Sequence, residues 1–388
     1  MTDLQALYAG ICAHPDEDTP RLALADFLDE EGGKENAFRA DFIRTHIKLT
    51  RAEPWSLEAR ETFPHWVKLQ DAAMDRAREH KLPWVTHLKS RVHGWFFERG
   101  LVGELRLYAK RFVAEGASYF EQDPIRAIRF VTLRATNNPV TPQALFECPH
   151  LSRLAKLELD GSALKTADLA KLGASPHLTQ LRSLALGGAQ SFNSAAVPKL
   201  LESLTALNEL AFRKNDEFGD THLNALAKCK SLSRVTVLDL SGTLVGPDGL
   251  STLAQSKHAA ALTVLRLGEI GEYDHMEEGY VTRENTLEEG LELAEALAEA
   301  KSFGNLKELN LRSRALGDDG AKLLAGSAKV LPALRRLDLS GCQLTLEGVK
   351  ALAKSELGQR LLYLGLAYSP ELSEHKKKFA KMFPLAHV

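Results

Sequence analysis

The chain has 388 residues, 44% hydrophobic and 26% charged, the proportions of a globular protein with ample length for a core. Its 49 basic and 51 acidic residues leave a net charge of -2, which gives no global pull on a polyanion or an anionic bilayer, so neither nucleic acid nor membrane is expected as a partner. Residues 1–12 lack an apolar run long enough for a signal peptide, which leads us to expect a cytoplasmic location, and Cys12, Cys148, Cys229 and Cys342 form no close pair and read as buried thiols.

All four tryptophans, Trp55, Trp66, Trp84 and Trp95, fall in the first quarter of the chain, and residues 1–95 read as a separate small all-α domain. Thr19 before Pro20 predicts a helix N-cap, Leu24, Phe27 and Leu28 supply the apolar stripe, and Gly32 and Gly33 stop it. Phe38, Phe42, Ile43 and Ile47 predict a second helix, and residues 57 to 80 a third. The elements Thr19–Leu22, Ala25–Asp26 and Phe42–Arg44 resemble the repeat-companion domain found at the start of many planctomycete repeat proteins. That resemblance implies lineage and architecture. The physical role expected of such a segment is to cover the open apolar end of a repeat array.

From residue 102 an apolar triplet at spacing 1, 4, 6 recurs, as in Leu154, Leu157, Leu159 and in Leu334, Leu337, Leu339. Its starts at 102, 125, 154, 181, 207, 235, 262, 306, 334 and 361 are separated by 23, 29, 27, 26, 28, 27, 44, 28 and 27 residues. Apolar and polar positions alternate in each copy, which predicts a short strand. Gly249, Gly320 and Gly348 each stand fourteen residues after a start and open GLSTLA, GAKLLA and GVKALA, which predict helices. Such units bury their apolar faces only by stacking.

Residues 306–316, LKELNLRSRAL, and 334–344, LRRLDLSGCQL, resemble leucine-rich repeats, and a period of 26 to 29 with a full helix is similar to the ribonuclease-inhibitor-like subfamily. The resemblance covers about 96–370. It implies an α/β solenoid of about ten strand-helix units, with a curved parallel sheet inside and helices outside, followed by a capping helix at 371–388. One departure stands out. The ninth position, which the family usually fills with Asn or Cys, holds Ser162, Ala189, Asn215, Thr243, Ile270, Arg314, Cys342 and Ser369, and looser or differently shaped turns are expected at Ala189, Ile270 and Arg314.

No phosphate loop, HExxH helix, GxSxG elbow or dinucleotide GxGxxG is present, so the chain is not expected to be an enzyme or to hold a cofactor. His80, His87 and His93 lack ligand spacing, and Asn215, Asp216, Glu217 and Asp220 fail the calcium-loop pattern and read as a solvated loop, so no metal is expected. The 44-residue step carries an insertion, GEIGEYDHMEEGYVTREN at 268–285, whose Tyr273, His275 and Tyr280 make a candidate clamp beside the strand face. On that face positions 3, 5 and 7 point outward, and Arg106, Arg129, Arg213, Asp239, Arg266, Asn310, Arg312, Arg336, Asp338 and Tyr363 are the candidate contacts. Their mixed signs suit a protein partner better than a polyanion. The expected function is a non-catalytic protein-interaction scaffold, with two alternatives: a regulator of a partner enzyme, as the resemblance implies, or a nucleic-acid-binding solenoid.

Overall fold

The computed structural model describes residues 2–388 apart from 54–55, 80–81, 132, 134–139, 160, 189–190, 269–284, 384 and 387, and the side chains of 370, 373 and 376. The chain divides into two compact units, Met1–Leu159 and Asp160–Val388.

The first unit opens with helices α1 (Asp3–Ala13), α2 (Thr19–Glu31), α3 (Lys34–Arg51) and α4 (Leu57–Arg78). Strands β1 (Gly94–Glu98) and β2 (Leu101–Leu107), helix α5 (Ala109–Tyr119), β3 (Ala127–Phe130), α6 (Pro142–Phe146) and β4 (Lys156–Glu158) follow. Helix α2 starts at Thr19, one residue earlier than the Thr-Pro pattern predicts, and Asp18 holds the cap position without a side-chain cap bond. The Asp18 carboxylate is instead drawn to Arg51 Nε at 2.7 Å. Gly32, at φ +70°, ends the helix as expected.

The motif residues of this region fasten α2 to α3. Arg44 Nη2 donates to Asp26 and Nη1 to Asp29, both at 2.6 Å, while Arg21, 2% exposed, donates to the Glu17 carbonyl at 2.9 Å. Ile11, Leu24, Leu28, Ile43 and Ile47 share one apolar cluster with Leu101 of β2, which is why the compact unit runs past residue 95. Strand β1 has no counterpart among the predicted elements. It pairs antiparallel with β2 through a two-residue turn, Arg99 at φ +48° and Gly100 at φ +83°. A Cβ on Gly100 would lie 2.4 Å from Ile43 Cα, so hairpin and α3 meet at a position only glycine fills.

The second unit alternates helix and strand: α7 (Thr166–Gly173), β5 (Ser183–Ala185), α8 (Ala196–Ser203), β6 (Glu209–Ala211), α9 (Asp220–Ala227), β7 (Val237–Asp239) and α10 (Pro247–Gln255). Then come β8 (Val264–Arg266), α11 (Leu287–Ala298), β9 (Glu308–Asn310), α12 (Gly317–Gly326), β10 (Arg336–Asp338), α13 (Leu346–Lys354), α14 (Glu356–Gln359), β11 (Tyr363–Gly365) and α15 (Lys376–Met382). The strands are parallel and paired in chain order, with Leu184, Leu210, Leu238, Leu265, Leu309, Leu337 and Leu364 in one buried row. Each such leucine removed from water contributes about 1.5–3 kcal/mol. Helices α7 to α13 pack on one another in the same order. Strand β8 pairs directly with β9, so the insertion leaves the ladder intact. This is a mixed α/β leucine-rich-repeat solenoid.

Three short ninth-position side chains bond the backbone from within, while the buried hydroxyls of Ser162 and Ser369 meet no partner among the described residues and Ala189 and Ile270 lie outside those residues. Asn215 Oδ1 accepts from Glu217 N at 3.1 Å, Thr243 Oγ1 donates to the Leu240 carbonyl at 2.7 Å, and Cys342 Sγ donates to the Leu311 carbonyl at 2.9 Å. Asn215 is fully buried, so the loop read as solvated turns inward there. At Arg314 the turn is differently built and not loose. Its side chain is 1% exposed, and the guanidinium donates to the Val245 carbonyl at 2.5 Å and to Asn285 Oδ1 at 3.1 Å. Its length lets it reach the turn two repeats back.

Candidate functional site

The strand face of the second unit collects the greatest number of predicted contacts. Parallel register sets Asp239, Arg266, Asn310, Asp338 and Gly365 in one row, and Val264, Glu308, Arg336 and Tyr363 in the row two residues before it. Opposite charges along each row and between the rows then fall within reach. Arg266 Nη1 lies 3.6 Å from Asp239 Oδ2 and its Nε 2.7 Å from Glu308 Oε1, while Arg336 Nη1 is 2.9 Å from that same oxygen. Burial pulls the Arg266 guanidinium down, but the carboxylates of Glu308 and Asp239 outweigh it and hold its pKa above the usual value.

The chain of charges runs on into aromatic rings. The Arg336 guanidinium carbon is 4.6 Å from the Tyr363 ring centroid, and that of Arg312 is 4.6 Å from Tyr368. Tyr368 is 60% exposed and was not singled out in the sequence; its place shortly after the Tyr363 strand was the available signal. Asp239, Asn310 and Asp338 are occupied differently. Their Oδ1 atoms accept the backbone N–H two residues on, from Ser241 at 3.1 Å, Arg312 at 3.0 Å and Ser340 at 3.0 Å. These three side chains turn the backbone as it leaves the strand. Asp239 and Asp338 are 7% and 8% exposed, so most of their carboxylate surface faces protein and not solvent.

Arg213 is half-buried, and Tyr273, His275 and Tyr280 lie outside the described residues. The insertion's end is tied, since Asn285 Nδ2 donates to the Ser313 carbonyl at 3.1 Å. In the first unit Arg106 is exposed on β2. Arg129 there belongs to a four-membered cluster: its Nε is 2.5 Å from Glu158 Oε2, and Lys156 Nζ is 2.9 Å from Glu158 and 3.1 Å from Glu104. Burial lowers the Lys156 ammonium, yet Glu158 and Glu104 together keep it raised. Among the described residues no group of three or more His, Cys, Asp or Glu is placed to hold a metal, and no helix is long and apolar enough to cross a membrane.

A leucine-rich-repeat family model matches residues 305–325 and 331–353. No curated protein matches the chain. Among solved structures, a chain from the crystal structure of a TLR13–ssRNA13 complex is similar at 15% identity and a TM-score of 0.37, with 69% of this chain and 40% of that one covered. The present chain thus spans less than half the length of that protein. That complex holds a single-stranded RNA, and the expectation that excluded nucleic acid is not kept for this chain, because a net charge of -2 averages over a surface on which arginines lie locally against tyrosine rings. The two matched repeats share their register and helix with the strand-helix units beside them, so the leucine-rich-repeat match falls on two copies of a pattern that the neighbouring units continue.

Proposed function

We propose that the chain is a recognition scaffold without catalytic activity of its own, and that it holds a protein partner on the strand face of its second unit. The supporting observation is the continuous run Asp239, Arg266, Glu308, Arg336, Tyr363, in which every charge is set by a neighbour. Side chains already fixed lose little entropy when a partner docks. Arginine and tyrosine are also the residue types that most often dominate interface energies. In this reading the 268–285 insertion takes part in holding the partner, the array is of the ribonuclease-inhibitor-like kind, and the front helices, similar to a repeat-companion domain, serve as a cap. Location is proposed as cytoplasmic.

A second reading, a single-stranded nucleic acid, is favoured by the Arg312–Tyr368 stack, because an exposed ring with a cation on it suits a base and its phosphate. One experiment separates them. The full chain is immobilised, bound proteins from the source cells are identified, and binding of a 20-mer of single-stranded RNA is followed from 50 to 300 mM salt. Protein capture that is lost with the charge reversals R266E, R312E and R336E supports the first reading. RNA affinity that falls steeply with salt supports the second. Capture unchanged in all three variants refutes the assignment to this face.

A further inference from the structure

A cleft of about 490 Å³ opens in the first unit, walled by α1, by the 3-10 turn Pro83–Leu88 and by residues 121–123. Arg39 of α3 stands in it, its guanidinium carbon 4.8 Å from the Trp84 ring centroid and 5.3 Å from that of Tyr8. Trp84 is held in turn by Phe38 and Phe42, at centroid distances of 5.7 and 5.5 Å. The rings attract the cation through its faces and leave the N–H groups, which lie in its plane, directed elsewhere. No acceptor among the described residues meets them, and Nε is buried without a partner. Burial brings the Arg39 pKa down to about 10, with Asp123 opposing it. Asp123 itself is engaged at 2.6 Å by His87 Nε2 and is 4% exposed.

A desolvated guanidinium with a planar fork of unused donors calls for a planar acceptor of opposite charge. Asp123 and the neighbouring Glu121 make a dianion costly here and a monoanion cheaper. Leu4 and Pro83 in the wall offer an apolar surface to whatever carries the charge. We propose that this cleft binds a carboxylate group in bidentate fashion on Arg39, its carrier's apolar part lying against Leu4 and Pro83. The carrier is a small organic acid or the C-terminal residue of a polypeptide, and the strand face plays no part in this site.

The test titrates the full-length chain with benzoate, with benzamide, and with the tripeptide Ala-Ala-Phe as free acid and as amide, following the Arg39 Nε–H resonance and the heat of binding. The site predicts that benzoate or the free-acid peptide shifts that resonance and binds at least tenfold more tightly than its neutral counterpart. Preference between the two acids identifies the carrier. Arg39→Met abolishes binding, and Arg39→Lys, which keeps the charge without the fork, weakens it about tenfold. Equal binding of acid and amide forms, no shift with either acid, or undiminished binding to folded R39M overturns the proposal. Should R39M fail to fold, the acid-against-amide comparison on the unaltered chain decides alone.

Discussion

Asp318 lies against Gly348, its Oδ1 accepting the backbone N–H of Gly348 at 3.0 Å and that of Thr345 at 2.9 Å. An acid on the first turn of α12 thus caps the start of α13 in the next repeat, where the helix dipole favours negative charge. The device recurs between α9 and α10, where Asp220 Oδ1 accepts the Gly246 N–H at 2.7 Å and stands over Gly249. The glycine that opens GLSTLA and GVKALA is therefore a packing requirement: a Cβ at either position would fall 2.4 Å from the neighbouring carboxylate oxygen.

Gly348→Ala is expected to destabilise the fold by about 1–3 kcal/mol through that clash, and Asp318→Ala by about 1–2 kcal/mol through loss of the cap. Because the clash needs the carboxylate, the double variant should cost less than the two singles added. Urea midpoints of the four proteins measure the cycle. Strict additivity would show that the glycine serves some other purpose.

Arg314 is expected to be the costliest ninth-position side chain to shorten. Arg314→Ala removes the donor to the buried Val245 carbonyl and one partner of the half-buried Asn285, a loss of about 2–4 kcal/mol. Arg314→Lys recovers only part of it, since one ammonium on a shorter stem does not span both acceptors. Denaturant unfolding gives the totals, and hydrogen exchange at residues 244–246 shows whether the effect reaches two repeats back. Protection there unchanged in R314A would refute the link.

The ten ladder starts were legible because each repeat shows the same apolar triplet, and burial of one strand face demands that pattern in every copy. The row Asp239, Arg266, Asn310, Asp338 followed from the same alignment. What the alignment could not give is depth and direction. Asp239 looks like an outward contact by parity alone, yet its carboxylate folds back on Ser241. Glu308 is not among the predicted contacts, although two arginines converge on it. Helix α1 and strand β1 carry weak periodicity, because each is held by tertiary contacts more than by its own pattern, and so the Arg39 cleft that α1 helps to wall was invisible.

Tyr368 should separate binding from stability. It is 60% exposed and its main neighbour is Arg312, so Tyr368→Ala is expected to alter the unfolding free energy by less than about 0.5 kcal/mol. Affinity for a partner seated on the strand face should drop by tenfold or more, as for an aromatic anchor. Arg312→Ala should do the same, and the double variant little more. Calorimetric titration with the captured partner reads the effect, and full affinity in Y368A places the contact elsewhere.

His46 makes stability depend on pH. Its ring lies 3.9 Å from that of Trp66, and Nδ1 accepts the Gly100 N–H at 3.1 Å, so the ring is built in as neutral. Burial, and then the nearby Arg21 and Arg99, lowers its pKa to about 4. In the unfolded chain the same group titrates near 6.5. Between these values the unfolded state carries a proton that the folded state lacks, so stability is full above about pH 6.5 and falls as pH drops towards about 4. The slope approaches 1.4 kcal/mol per pH unit, to a total of about 3 kcal/mol. The other histidines add their own dependence, so the comparison that isolates this one is His46→Gln, whose amide oxygen keeps an acceptor for Gly100. Urea midpoints taken at pH 7, 6, 5 and 4.5 should fall less steeply in H46Q than in the unaltered chain. Parallel curves would mean that His46 takes up its proton in the folded protein, and that its contacts with Trp66 and Gly100 tolerate the charge.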